Sequence, residues 1–120
     1  MTEKMSKIEI IMNPNKFEDL KEAMNQIGVT GMTVTNALGC GLQKGHKEYY
    51  RGVEVEINLK QKLKVEIVVC EVPVDAVINT ALKILQTGQI GDGKIFVYDV
   101  VDAVRIRTAE RGPAAVKDPK

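Results

Sequence analysis

The chain has 120 residues with 17 basic and 16 acidic side chains, a formal net charge of +1 and a length that suits a single domain with its own core. That balance excludes the charge excess needed for sequence-blind binding to nucleic acid or membrane surfaces, so partners have to be recognised locally. The apolar runs, such as Ile10–Met12 and Ile67–Cys70, are strand-sized, and Glu3, Lys4, Lys7 and Glu9 break up any secretory apolar region, so the expected location is the cytoplasm.

Lys7–Met12 (KIEIIM) reads as a short strand, and Asn13-Pro14-Asn15 supplies a helix start with a capping-type residue. Phe17, Leu20, Ala23, Met24 and Ile27 then keep one apolar face at helical spacing until Gly28 stops it. Met32–Cys40 reads as a strand. The pattern repeats in the second half, where Leu63–Cys70 alternates as a strand and Val74–Leu85 has helical periodicity behind Pro73. Lys94–Tyr98 begins a closing strand. Two strand–helix–strand halves predict a ferredoxin-like α+β sandwich with both helices on one sheet face. Cys40 and Cys70 are too few and too isolated for a disulfide framework or a metal cage, and their apolar strand settings predict buried thiols.

Between the halves lies Gly41–Leu59, dense in Gln, Lys, His, Glu and Arg and too polar to pack as an ordinary element. Loops beyond about 12–15 residues in compact domains are usually functional or disordered. The alternation in VEVEI also allows an extended hairpin, but a mobile effector loop, strand-like in part, is the expectation.

Thr87–Phe96 (TGQIGDGKIF) is the most informative stretch. Three glycines, an aspartate and a lysine fall between a helix and a strand, where the backbone must bend sharply and can present N–H groups to phosphate. Gly88, Gly93 and Lys94 fit part of the P-loop pattern, but Ile95 stands where a magnesium-holding hydroxyl would be and a strand follows, so this is no Walker A loop. The bland alternative is a glycine-rich turn joining helix to strand. Arg105 and Arg107 favour phosphate, because in an extended run residues two apart share a face and both guanidiniums could engage one polyphosphate.

The segment TGQIGDGKIFV, the RIRT after it, the GMTVT before the long loop and the loop's YYRG together resemble the PII signal-transduction proteins of the GlnB/GlnK type, over nearly the whole chain. The resemblance implies a ferredoxin-like subunit of residues 1–120 that assembles as a homotrimer, with an effector T-loop at about 41–59 and a C-terminal tail at about 108–120. It implies a non-enzymatic sensor that binds ATP or ADP in clefts between subunits, responds to 2-oxoglutarate together with Mg²⁺ and ATP, and docks on targets through the T-loop. Such targets would be an ammonium transporter, which could bring the protein to a membrane, or a nitrogen-metabolism enzyme or transcription factor.

By the same resemblance, the phosphate loop falls on Gly91, Asp92, Gly93 and Lys94, and its basic partners on Arg105 and Arg107. Thr33 and Glu66 match positions around the adenine, and Val68 lines that cleft. Gly41, Leu42 and Gln43 match the loop base that meets the phosphates, with the Gln43 oxygen available to Mg²⁺. Gln43 and Lys62 match the 2-oxoglutarate site, where Lys62 would pair with a carboxylate; by its surroundings alone, in QKLK, Lys62 reads as a solvated strand residue. Tyr49, Tyr50 and Arg51 are the implied partner-binding residues of the loop.

The chain also departs from the family pattern. Val55 replaces the tyrosine that relatives nucleotidylate, so no modification is expected there, and Val53 lacks the hydroxyl that some members phosphorylate. Leu42 stands where an arginine often contacts phosphate, and Cys40 replaces a common phenylalanine near the effector pocket. A rival from another class is a nucleotide-handling enzyme with slow ATP hydrolysis, for which Asp92, Lys94 and Glu66 are the obvious candidates and His46 has no paired acid. Further alternatives are a PII-like regulator of a different transporter or transcription factor, and an anion or metal binder without nucleotide, which leaves the arginine pair and the glycine loop unexplained.

Overall fold

The computed structural model describes residues 4–42 and 57–117. Strand β1 (Ser6–Met12) leads through a 3-10 turn (Pro14–Lys16) into helix α1 (Phe17–Gln26). Strands β2 (Thr33–Leu42) and β3 (Ile57–Val69), helix α2 (Val74–Leu85), strand β4 (Gly93–Asp99) and a short helix α3 (Pro113–Val116) follow. The four strands form one antiparallel sheet in the order β2-β3-β1-β4, which is the ferredoxin-like arrangement.

Alternation along the central strands decides which face is covered. Ile8, Ile10 and Met12 of β1 and Val65, Ile67 and Val69 of β3 point to one side and are buried there beneath Leu20 and Met24 of α1 and Val77 and Ala81 of α2. The predicted helical face of α1 is thus the one that packs. Its end is built from Gly28, whose φ of 100° lets Gly28 N–H reach Asn25 O and Val29 N–H reach Met24 O, capping the last turn.

Neither α1 nor α2 covers the opposite sheet face. Lys7 and Glu9 of β1, Lys64, Glu66 and Val68 of β3 and Lys94, Phe96 and Tyr98 of β4 share it, and Val68, Phe96 and Tyr98 are exposed. Lys7 Nζ sits 3.0 Å from Glu66 Oε2 and 4.9 Å from the centre of the Tyr98 ring on this face.

Strand pairing enters the long segment from both sides, with Cys40 opposite Leu59, Gly41 opposite Asn58 and Leu42 opposite Ile57, in keeping with a loop that is strand-like in part. The remaining loop positions, Gln43, His46, Tyr49, Tyr50, Arg51, Val53 and Val55, lie outside the described residues. Three expectations need correction. Cys40 is exposed rather than buried, since it rides on that paired stretch where no helix covers it, and Cys70, just beyond β3, is half-buried. Asn13 does not cap a helix with its side chain. Arg105 and Arg107 are not in an extended run, because the backbone turns over Ile106–Thr108 and Ala109 N–H closes back on Arg105 O at 2.7 Å.

Removing the Ile10 side chain should leave a cavity between sheet and helices that the tight packing cannot close. Ile10→Ala is expected to cost about 2–5 kcal/mol in denaturant unfolding, whereas Glu22→Ala on the exposed side of α1 should change stability by no more than about 0.5 kcal/mol.

Candidate functional site

The glycine loop sits at the end of the sheet where β1 stops and β4 starts. Gly93 must pass directly over β1: a Cβ there would lie 1.8 Å from Ile11 O, and φ is 112°. No other residue fits without moving one of the strands. Gly88 and Gly91 also have positive φ, 86° and 102°, so the chain between α2 and β4 is folded into a compact turn.

Asp92 is the internal brace of that turn. Its carboxylate accepts hydrogen bonds from Thr87 N–H at 2.8 Å, from Gly88 N–H at 3.0 Å and from the Thr87 hydroxyl, which in turn accepts from Gln89 N–H at 3.2 Å. The Thr87 hydroxyl bond, the backbone donors and the nearby Lys16 charge hold the Asp92 carboxyl below the ordinary carboxylate range. Asp92 therefore shapes the loop from inside, and a carboxylate so engaged is a poor general base.

Lys62, matched to the effector site by resemblance, reads as a solvated strand residue from its surroundings alone. It is 9% exposed. Its Nζ donates to Asn13 Oδ1 at 2.6 Å and to Gly91 O at 2.7 Å, while Asn13 Nδ2 donates to the same carbonyl at 3.1 Å. Its stem runs past Gly39, where a Cβ would lie 3.2 Å from Lys62 Cγ. Asn13, missed as a site residue and misread as a cap, is the third member of this cluster. Lys94 opens β4 on the same sheet face, opposite Ile11, and is exposed.

The other expected residues lie from the middle of the sheet to its far end. Thr33 and Glu66 are cross-strand partners, and Val68 follows two residues on along the same face. The Lys7 ammonium beside Glu66 holds its carboxyl low. Val68, Gly31, Val116 and Lys117 line a shallow nook here. Arg105 belongs to this end: its guanidinium donates to Ala114 O at 3.0 Å and to Lys117 O, and Nε lies 3.1 Å from Glu110 Oε1. The Nε–H does not point along that contact and makes no hydrogen bond. Arg107 is exposed on the turn, and a second clasp, Arg111 to Asp102, closes the segment. The seven residues of β1, Ser6 to Met12, run about 20 Å from the start of β4 to its end, so the segment carrying Arg105 and Arg107 leaves from the end opposite the glycine loop, while Thr33 and Glu66 lie level with Glu9 midway. One chain thus brings Gly91, Asp92, Gly93, Lys94 and Lys62 together at one end, with Thr33 and Glu66 paired in mid-sheet, and delivers Arg105 and Arg107 to the other end. Gly41 and Leu42 are described only as strand backbone, and Gln43 is outside the described residues.

These features define a small α+β subunit whose candidate ligand-binding elements are divided between two ends of one sheet. The chain belongs to the nitrogen regulatory protein P-II family, whose profile matches residues 5–110. It is 53% identical over 116 residues to the nitrogen regulatory PII-like protein of Bacillus subtilis, covering 97% of this chain and 100% of that one. It is 50% identical over 112 residues to nitrogen regulatory protein P-II 1 of Escherichia coli, covering 93% of this chain and 100% of that one. Among solved structures, the complex of B. subtilis GlnK with ATP superposes with a TM-score of 0.84 at 54% identity, covering 93% of this chain and 97% of that one. PII of Arabidopsis thaliana bound to citrate gives 0.76 at 36% identity, covering 98% and 94%.

Because the Asp92 pKa is depressed in the folded loop, its stabilisation is present above the unfolded carboxyl value of about 3.9 and is lost as pH falls through the lower folded value. Amide-exchange protection factors at Thr87 and Gly88 should therefore hold near neutral pH and drop below about pH 4. In Asp92→Asn they should be low at every pH.

Proposed function

We propose that this protein is a non-enzymatic PII sensor that binds ATP or ADP in clefts between the subunits of a closed trimer. The placement of the glycine loop and the arginine segment at opposite ends of β4, about 20 Å apart along the sheet, carries this reading. A polyphosphate that meets the glycine loop and Lys94 of one copy can meet the basic turn of the next, whereas within one chain it cannot span both. Head-to-tail contact of this kind closes into a ring when the rotation permits. The sheet face that α1 and α2 leave uncovered, with Val68, Phe96 and Tyr98 exposed, gives such copies an apolar surface to share.

The nucleotide fits the donors available. Gly91 and Gly93 leave the loop backbone bare, Lys94 supplies a mobile positive charge, and Arg107 stands exposed for a neighbour's phosphates. The ATP-bound relative supports the same ligand here. Among the described residues no cluster of three or more His, Cys, Asp or Glu side chains could cage a metal, which suits a Mg²⁺ held mainly by the phosphates with Gln43 as its protein ligand. 2-Oxoglutarate is the proposed effector, with one carboxylate on Lys62; the citrate-bound relative shows that a PII protein accommodates a small polycarboxylate. Asp92 is held by the loop's own donors, which argues against the hydrolytic alternative.

Ligand occupancy would act on the T-loop because β2 and β3, whose ends it joins, also carry Gly39 and Lys62. Tyr49, Tyr50 and Arg51 would then meet a cytoplasmic target, either the inner mouth of an ammonium transporter or a nitrogen-metabolism enzyme or transcription factor. Among the described residues no helix is long and apolar enough to cross a membrane, and membrane association would come through such a transporter. With Val55 in place of the family tyrosine, regulation would run through ligands alone.

Lys94→Ala and Arg107→Ala should each weaken ATP by about 1–3 kcal/mol in calorimetric titration. The informative sample is the two variants co-expressed as mixed trimers. Each mixed ring contains one cleft with an intact Lys94 on one side and an intact Arg107 on the other, so tight binding should return to one site per ring. No recovery on mixing would place both residues in the same chain's site and contradict the inter-subunit reading.

A further inference from the structure

We propose that Asn13 is a positioning residue for the effector lysine, holding the Lys62 ammonium so that one of its N–H groups remains for a ligand carboxylate and tying that ammonium to the phosphate loop. The inference rests on the reading of Lys62 as the effector contact. It goes beyond that reading by giving a role to a residue that neither sequence pattern nor family resemblance brought out.

The observation is a closed three-way cluster. Lys62 Nζ reaches Asn13 Oδ1 at 2.6 Å and Gly91 O at 2.7 Å, and the Asn13 amide returns a hydrogen bond to the Gly91 carbonyl at 3.1 Å. An ammonium has three N–H donors, so these contacts use two and leave one. The Lys62 stem also packs closely on Gly39, where a Cβ would lie 3.2 Å from Cγ. A lysine on an open strand normally has to give up its rotamer freedom when it binds a ligand; here most of that freedom is already gone, and the carboxylate meets a prepared donor.

Asn13 suits this task for a chemical reason. Its side chain carries an acceptor for the ammonium and a donor for the Gly91 carbonyl on one planar amide, and it is neutral. Aspartate would hold the ammonium but would place a negative charge beside an incoming dicarboxylate. A basic residue would repel Lys62 and could not accept from it. The cluster also gives the effector a physical link to the nucleotide: a carboxylate that draws Lys62 toward itself pulls on Gly91, one residue before Asp92 and two before Gly93.

Two variants test the proposal with two readouts. The first readout is the affinity for 2-oxoglutarate at saturating Mg²⁺ and ATP, by calorimetry. The second is the rate at which trace acetic anhydride acylates Lys62, read by peptide mass mapping with no effector present. In Asn13→Ala, Lys62 should acylate faster than in the wild type and 2-oxoglutarate should bind at least about tenfold more weakly, the scale of a lost hydrogen bond to a charged group. In Asn13→Asp, Lys62 should stay as protected as in the wild type while 2-oxoglutarate again binds poorly. That split separates positioning for a carboxylate from simple support of the fold.

Wild-type acylation and wild-type affinity in Asn13→Ala would overturn the proposal and leave the effector reading standing. Full 2-oxoglutarate affinity in Asn13→Asp would also overturn it, because the neutral amide would then not matter. A wild type that binds ATP but no 2-oxoglutarate would remove the effector reading and the proposal with it, whatever the acylation rates.

Discussion

A lysine ammonium taken out of water at the end of a β-sheet must be met by oxygen atoms, and the arrangement around Lys62 follows from that requirement. Its partners are a carbonyl from the turn between α2 and β4 and an amide oxygen from the residue after β1, so three separate parts of the chain are fixed to one another. The Lys62 stem packs closely on Gly39, and Gly93 has to be glycine for β4 to start alongside Ile11. The turn is then stiffened from inside by Asp92, whose bonds to Thr87 and Gly88 use donors that would otherwise face solvent. The loop is in consequence a preformed cradle rather than a flexible glycine linker.

The same topology explains why the subunit looks incomplete by itself. An antiparallel sheet sends β4 away from the glycine loop, so whatever follows β4, including Arg105 and Arg107, is delivered to the opposite end. A sheet with helices on one face and Val68, Phe96 and Tyr98 exposed on the other gains by covering the bare face with copies of itself, and in the proposed ring the far end of one copy lies against the glycine loop of the next. Sensing in such an assembly would need no hinge within the fold. A ligand would only have to contact the loop-base strands differently in its different occupancy states, because an equilibrium moves by differential affinity alone.

Elements whose signals are local were legible in the sequence. The apolar spacing of Phe17, Leu20 and Met24, the stop at Gly28 and the strand alternation around Ile8–Met12 and Val65–Val69 each arise within a few residues, and the structure forms them where expected. The burial of Lys62 was not legible locally, because its neighbours describe a solvated strand while its partners lie 49 and 29 residues away. Asn13 was misread for the complementary reason: asparagine before a helix normally caps it, and here distant partners compete successfully for the amide. Cys40 looked buried because strand context says nothing about where the covering helices stop. The arginine pair was placed on an extended run because RIRT alternates, although Arg105 is drawn into a turn by Glu110 and by carbonyls of the C-terminal segment.

Whether Lys62 joins an effector site to the nucleotide loop is tested most directly by titrating 2-oxoglutarate calorimetrically into protein saturated with Mg²⁺ and ATP and, separately, with ADP. Saturable binding is expected in the first sample and none in the second, with ATP affinity raised by 2-oxoglutarate through the same coupling factor, as linkage requires. Equal binding of 2-oxoglutarate in both samples would contradict it.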